Sequence, residues 1–165
     1  MREARSLYLQ IAGFGLSPED VPEQAKTVTG LLEYGLNPAF DARSIVGDNP
    51  LDLTQRVYGN ADATGPDALH GTHVAGIIGA VRGNGIGVDG IAPAVKIMSV
   101  RAVPNGDERD KDVANAIRYA VDNGALVLNL SFGKAYSPEK QAVDDAVRYA
   151  ESRGALIVQD RKSVV

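Results

Sequence analysis

His70 and His73 are the only two histidines of the sequence. They stand three positions apart in His70-Gly71-Thr72-His73-Val74-Ala75-Gly76, at the start of an apolar helical run. Imidazole is the side chain best suited to proton transfer near neutral pH. Gly71, Gly76 and Gly79 each cost a helix about 1 kcal/mol relative to Ala. Three of them in one helix point to close backbone contact, an arrangement that can hold a histidine deep in a fold. On spacing alone three readings are open. The pair can be two satisfied polar groups in a packed helix. It can share a zinc ion, which requires a further His, Cys or carboxylate ligand, and the sequence has no other His and no Cys. Or one of the two can be a general base.

The elements that must position these residues follow from the pattern around them. From His70 onward the rhythm is regular. A helix is expected over roughly 70–81, then a Gly/Asn-rich loop, then a strand over 95–100. A second helix begins near Asp110, with Val113, Ala116, Ile117, Ala120 and Val121 on one face, and stops at Gly124. The apolar run 125–130 reads as a strand. Ser137-Pro138-Glu139 opens a third helix with the face Ala142, Val143, Ala146, Val147 and Ala150; Gly154 closes it before a strand at 155–158. Strands alternating with helices through short links predict an α/β fold, a parallel sheet with crossover helices. Nearly continuous apolar strands suit burial on both faces.

Residues 1–64 differ in texture and read as short helices and loops. Ser17-Pro18-Glu19-Asp20 resembles a helix start, Gly35 stops the run Leu31–Tyr34, and 36–64 is loop-like. The expected organisation is a helical and loop insertion or N-terminal extension over 1–64, a partial catalytic domain over 65–158 and a divergent tail over 159–165.

Composition narrows the function. A chain of 165 residues is one domain's worth, and its net charge of −4 argues against nucleic acid and anionic membrane as partners. The absence of cysteine excludes disulfides and thiolate chemistry. No segment has transmembrane length, and the N-terminus, with charges of both signs, is not a signal peptide. Gly85-Ile86-Gly87-Val88-Asp89-Gly90 formally matches G-x-G-x-x-G. A dinucleotide fingerprint follows a strand and opens a helix, however, and this loop does the reverse. No organic cofactor is expected.

The block His70–Gly76 resembles the histidine motif of the subtilases, the subtilisin-like serine peptidases. The resemblance continues in order over about residues 67–158, through the loop 83–90, Gly90-Ile91-Ala92-Pro93, the strand 95–100 and Val127-Leu128-Asn129-Leu130-Ser131-Phe132-Gly133. It implies a subtilisin-like three-layer fold, here incomplete, and hydrolysis of peptide bonds through an acyl-enzyme intermediate. His70 would be the catalytic histidine, taking the serine's proton and passing it to the leaving amine, with His73 a structural neighbour. Ser131, Phe132 and Gly133 would form the substrate-binding segment, with Ser131 and Gly133 offering backbone hydrogen bonds to an extended peptide. Without the resemblance they read as the turn after a buried strand. The loop 83–90 would hold calcium through Asn84 and the carbonyls of Val81, Ile86 and Val88; a glycine-rich turn without metal is the plain alternative. The partner implied is a peptide or protein substrate, and the parent would be secreted or at the cell envelope.

The sequence also departs from the family. The triad acid is expected in a D-[ST]-G tripeptide, and none occurs. Asp48 is the nearest imitation, but Asp48-Asn49-Pro50 reads as a turn. No serine lies in a G-T-S-[ML]-A block. Where an oxyanion-hole Asn is expected in the V-x-A-A-G-N type of strand, the chain turns to 159–165, with Ser163 roughly in the Asn slot. The expectation is a truncated or frameshifted fragment, inactive alone and poorly stable as a monomer. The alternative is a degenerate, non-catalytic module that grips an extended peptide.

Overall fold

The computed structural model describes residues 21–65, 67–104 and 108–159. The expected helix start at 17–20 and the tail beyond Gln159 lie outside the described residues. The chain divides into two compact units between Ile45 and Val46. Residues 46–64 belong to the second unit.

In the first unit, α1 (Val21–Gly30) runs into a π-helical turn, Leu31–Gly35. The Leu36 amide donates to the Leu31 carbonyl at 2.7 Å, and the helical run stops at Gly35 as the sequence predicts. The rings of Tyr34 and Phe40 meet edge to face, 4.9 Å between centroids. The expected loop 36–64 contains one short helix, α2 (Ala42–Val46). Its origin is Asp41, whose Oδ1 accepts the amides of Arg43 and Ser44 at 3.0 and 3.2 Å. Such a side-chain oxygen satisfies the orphan donors of a first turn.

The second unit carries α3 (Leu69–Gly79), α4 (Asp110–Asp122), β1 (Val127–Leu130), α5 (Lys140–Ser152) and β2 (Leu156–Gln159). β1 and β2 pair in parallel, with Val127 opposite Leu156 and Leu130 opposite Gln159. The unit β1–α5–β2 is therefore a strand–helix–strand crossover, and the α/β reading holds with a two-stranded sheet. Its core sits between that sheet and the two helices. Val113, Ala114, Ile117 and Ala120 of α4 meet Ala146 and Ala150 of α5, with Leu128 and Ala155 below them. Alanines on the facing sides let two helices approach closely. Leu128, Leu130 and Ile157 point to this core, while Val127, Leu156 and Val158 on the other face are exposed.

Both crossover helices stop by one device. Gly124 (φ +88°) and Gly154 (φ +79°) are left-handed. Around them the amides of Gly124 and Ala125 donate to Val121 and Ala120, and those of Gly154 and Ala155 to Glu151 and Ala150. Two crossed bonds of this kind satisfy the last carbonyls and turn the chain directly into its strand.

Three expectations are corrected. Residues 95–100 make no ladder and are not a strand among the described residues. Strand identity requires a hydrogen-bonded neighbour, and here only Val100 is packed against the core. The third helix begins at Lys140, because the Ser137 hydroxyl donates to Asp110 at 2.8 Å instead of capping its own helix. Close backbone contact along α3 is found at its end alone. A methyl at Gly79 would lie 3.4 Å from Val95, whereas one at Gly71 or Gly76 would meet nothing within 4 Å among the described residues.

Candidate active site

His70 lies in the first turn of α3, one residue after Leu69, whose amide donates to Asp67 Oδ1 at 2.9 Å. His70 and His73 are both exposed, so this helix does not hold either of them deep. Among the described residues neither imidazole makes a hydrogen bond or ion pair. No group of three His, Cys, Asp or Glu side chains is placed to hold a metal among those residues.

The loop after α3 is closed at its base. The amides of Gly90, Ile91 and Ala92 donate to the carbonyls of Ala80, Ile77 and Ile78, at 3.1, 3.0 and 2.7 Å. Gly90 has to be glycine, because a methyl there would fall 2.3 Å from the Ala80 nitrogen. Arg82 spans the same base, donating to the Gly90 and Ile91 carbonyls at 2.6 and 3.0 Å. Within the loop Asn84 Oδ1 accepts the Ile86 amide at 2.9 Å, and Asp89 Oδ1 accepts that of Gly83 at 3.0 Å. An amide oxygen has two lone pairs, so one on Asn84 is left for another partner. The oxygen donors here suit a hard cation such as calcium.

Beyond β1 lies the segment Ser131-Phe132-Gly133. Phe132 follows Leu128 and Leu130 onto the core face, and its ring is packed there. What Phe132 offers to a ligand is therefore backbone. Its carbonyl accepts Gln159 Nε2 at 3.5 Å, and the Ser131 hydroxyl accepts Asn129 Nδ2 at 2.8 Å. No strand pairs with 131–133 among the described residues. His70, Asn84 and this segment thus sit on three separate elements, and no described hydrogen bond joins them.

Asp48 is buried and ion-paired with Lys111 of α4, whose ammonium also donates to the Asn49 carbonyl at 2.7 Å. The turn reading of its neighbours holds: the Asp52 amide donates to the Asn49 carbonyl at 3.1 Å. Sequence reasoning missed a second buried carboxylate, Asp110, the first residue of α4. It pairs with Lys134 at 2.8 Å, and its Oδ2 accepts the Glu139 amide at 2.8 Å. Burial raises its pKa, but Lys134, the Glu139 amide and the Ser137 hydroxyl outweigh that and hold the carboxyl below its usual range. The available signal was the acid at the helix start; its lysine lies 24 positions further on.

A crossover α/β unit with a histidine at a helix start and an unpaired segment beyond its first strand is the class of protein defined here. The model of the Subtilase family matches residues 42–159, and the chain belongs to that family. It is 42% identical over 98 residues to a thermophilic serine proteinase of Bacillus sp. (strain AK1), covering 59% of this chain and 23% of that protein. With thermitase of Thermoactinomyces vulgaris it shares 42% identity over 95 residues, covering 53% and 34%. With the minor extracellular protease Epr of Bacillus subtilis (strain 168) the figures are 40% over 129 residues, 78% and 18%. The chain thus spans about a third or less of the length of these curated relatives.

Proposed function

We propose that these residues contribute to a subtilisin-like serine endopeptidase, with His70 as the histidine of a Ser-His-Asp triad and Ser131, Phe132 and Gly133 as the peptide-binding segment. The observation that carries the reading is the family match over 42–159, with His70 exposed at the start of α3. An exposed imidazole is available to take the serine's proton as the hydroxyl attacks the peptide carbonyl, and then to give it to the leaving amine. The acid and the nucleophile are not among the motifs of this sequence, which has neither D-[ST]-G nor G-T-S. His70 therefore has nothing to activate within these 165 residues, and the chain by itself is inactive. Loss of the triad serine alone costs on the order of a million-fold.

Beside β1, Ser131 and Gly133 present backbone to an extended peptide, a strand-addition mode of binding. A calcium ion in this loop would be held by Asn84 and the carbonyls of Val81, Ile86 and Val88, and would stiffen it. The complete fold would be the three-layer subtilisin-like arrangement, with 65–158 as its partial catalytic domain. Among the relatives are a cell wall-associated protease and an extracellular one, which supports a secreted or envelope-bound parent. No helix among the described residues is long and apolar enough to cross a membrane.

The second reading, a peptide-binding module without catalysis, is favoured by one observation, the missing nucleophile block. A fluorophosphonate probe applied to the polypeptide that contains these residues separates the two. Labelling that His70→Ala abolishes supports the peptidase. Peptide binding without any labelling supports the module. Protease activity above background in the pure 165-residue chain would overturn the assignment of inactivity.

A further inference from the structure

We propose that Asp110 and Lys134 are positioning residues for the segment Ser131–Gly133, their buried ion pair tying its C-terminal end to the first turn of α4. The inference rests on the reading of 131–133 as the peptide-binding segment.

Besides the hydrogen bonds from Asn129 to the Ser131 hydroxyl and from Gln159 to the Phe132 carbonyl, two side chains anchor this segment. On one side the Phe132 ring is packed into the core. Gly133 has no side chain to contribute, and a methyl there would find only Gln159 Nε2, at 4.0 Å. The other anchor is Lys134, which directly follows. Its side chain is 10% exposed, and its ammonium reaches Asp110 Oδ1 at 2.8 Å and the Glu108 carbonyl at 2.7 Å. This is not the solvated position usual for lysine.

Asp110 is built for the same purpose. As the first residue of α4 it lies where a helix terminus favours negative charge, yet none of the described hydrogen bonds of its carboxylate goes to its own helix. Its three donors, Lys134 Nζ, Ser137 Oγ and the Glu139 amide, all come from the chain that follows the segment. Both carboxylate oxygens are thus spent on 134–139, while neither Asp110 nor Lys134 belongs to the apolar core. Strand addition is strongest onto an edge that is already ordered, because an unordered one must lose its freedom on binding. The clamp supplies that order without touching the peptide.

The test is an NMR titration of the full chain with N-acetyl-tetraalanine amide, alongside amide hydrogen exchange, on the native chain, Lys134→Met, Asp110→Asn and Lys134→Arg. In the native chain, shifts confined to 129–134 are expected. In Lys134→Met and Asp110→Asn the affinity should fall by about tenfold or more, since removing one partner leaves the other buried and uncompensated. Exchange of the amides at 131–135 should rise by a similar factor, with α4 and α5 unchanged, and Lys134→Arg should recover most of the affinity. Native-like affinity and exchange in Lys134→Met would overturn the clamp and leave the peptide-binding reading standing. Exchange that rises equally along α4 and α5 would make the pair a general stabiliser and overturn the proposal too. A native chain that shows no shifts at 129–134 would remove the peptide-binding reading and the proposal with it.

Discussion

Lys111 and Asp48, 63 positions apart in the chain, form an ion pair with side chains 6% and 0% exposed. The lysine's three protons have three acceptors: Asp48, the Asn49 carbonyl at 2.7 Å and Gln55 Oε1 at 3.4 Å. Its ammonium also lies 4.9 Å from the centre of the Tyr58 ring. Beside it Tyr58 donates to Asp112 at 2.6 Å, and Asn115 donates to the Gln55 carbonyl at 3.1 Å. Residues 47–58 are therefore held to α4 by polar contacts, and Asp48 is taken up by that function.

Truncating one partner of this pair strands a buried charge. Lys111→Met alone should lower unfolding stability by about 3–5 kcal/mol, and Asp48→Asn by a comparable amount. The double variant Asp48→Leu/Lys111→Met should lose clearly less than the sum, since two apolar groups leave no charge uncompensated. Urea unfolding of the three variants measures the coupling. Additive losses would show that the two residues act independently.

Tyr58 gives the protein an alkaline limit. Burial raises its pKa first of all, and the hydrogen bond to Asp112 adds to that. The folded state therefore holds a neutral phenol where the unfolded chain, with an ordinary pKa near 10, loses the proton. Below about pH 10 both states are neutral and this contribution is fully present; above it the unfolded state is favoured and stability falls. A plot of thermal midpoint against pH from 8 to 11 should turn down near the ordinary tyrosine pKa. In Tyr58→Phe that downturn should be weaker.

Neighbouring residues of β1 report which sheet face is covered. Leu128 is 7% exposed and Val127 61%. Leu128→Ala should cost about 2–5 kcal/mol through lost burial and the cavity left behind. Val127→Ala should stay within about 0.5 kcal/mol, as for an ordinary surface change. Chemical denaturation of the pair settles it, and equal losses would mean that the outer face is covered in solution.

How much of this was legible beforehand depended on the range of the interaction. α4, α5 and the two strands were readable because their determinants are local: apolar faces at helical spacing, and Gly124 and Gly154 at positions that only glycine adopts easily. The run 95–100 has the apolar content of a strand, but pairing is non-local, and content alone cannot supply a neighbour. The glycines of α3 pointed to close contact, yet burial depends on what covers a helix, and at Gly71 and Gly76 nothing described does. His70 is singled out by its motif alone. Asp48 and Asp110 looked like a turn residue and a helix-start acid, because their lysines lie 63 and 24 positions away.

The closeness of α4 and α5 makes a final demand on size. Ala146 and Ala150 are fully buried, and Ala146 faces the same core as Ile117, which is 1% exposed. The contact has no room for further methylene groups unless the helices separate, and close-packed interiors resist such shifts. Ala146→Leu should therefore destabilise by about 1–3 kcal/mol despite being more apolar and a good helix former. Pairing it with Ile117→Ala, which frees volume on the facing helix, should recover part of that loss. Thermal unfolding of the two singles and the double provides the comparison. A stabilised Ala146→Leu would mean that the helices are not in contact at this layer.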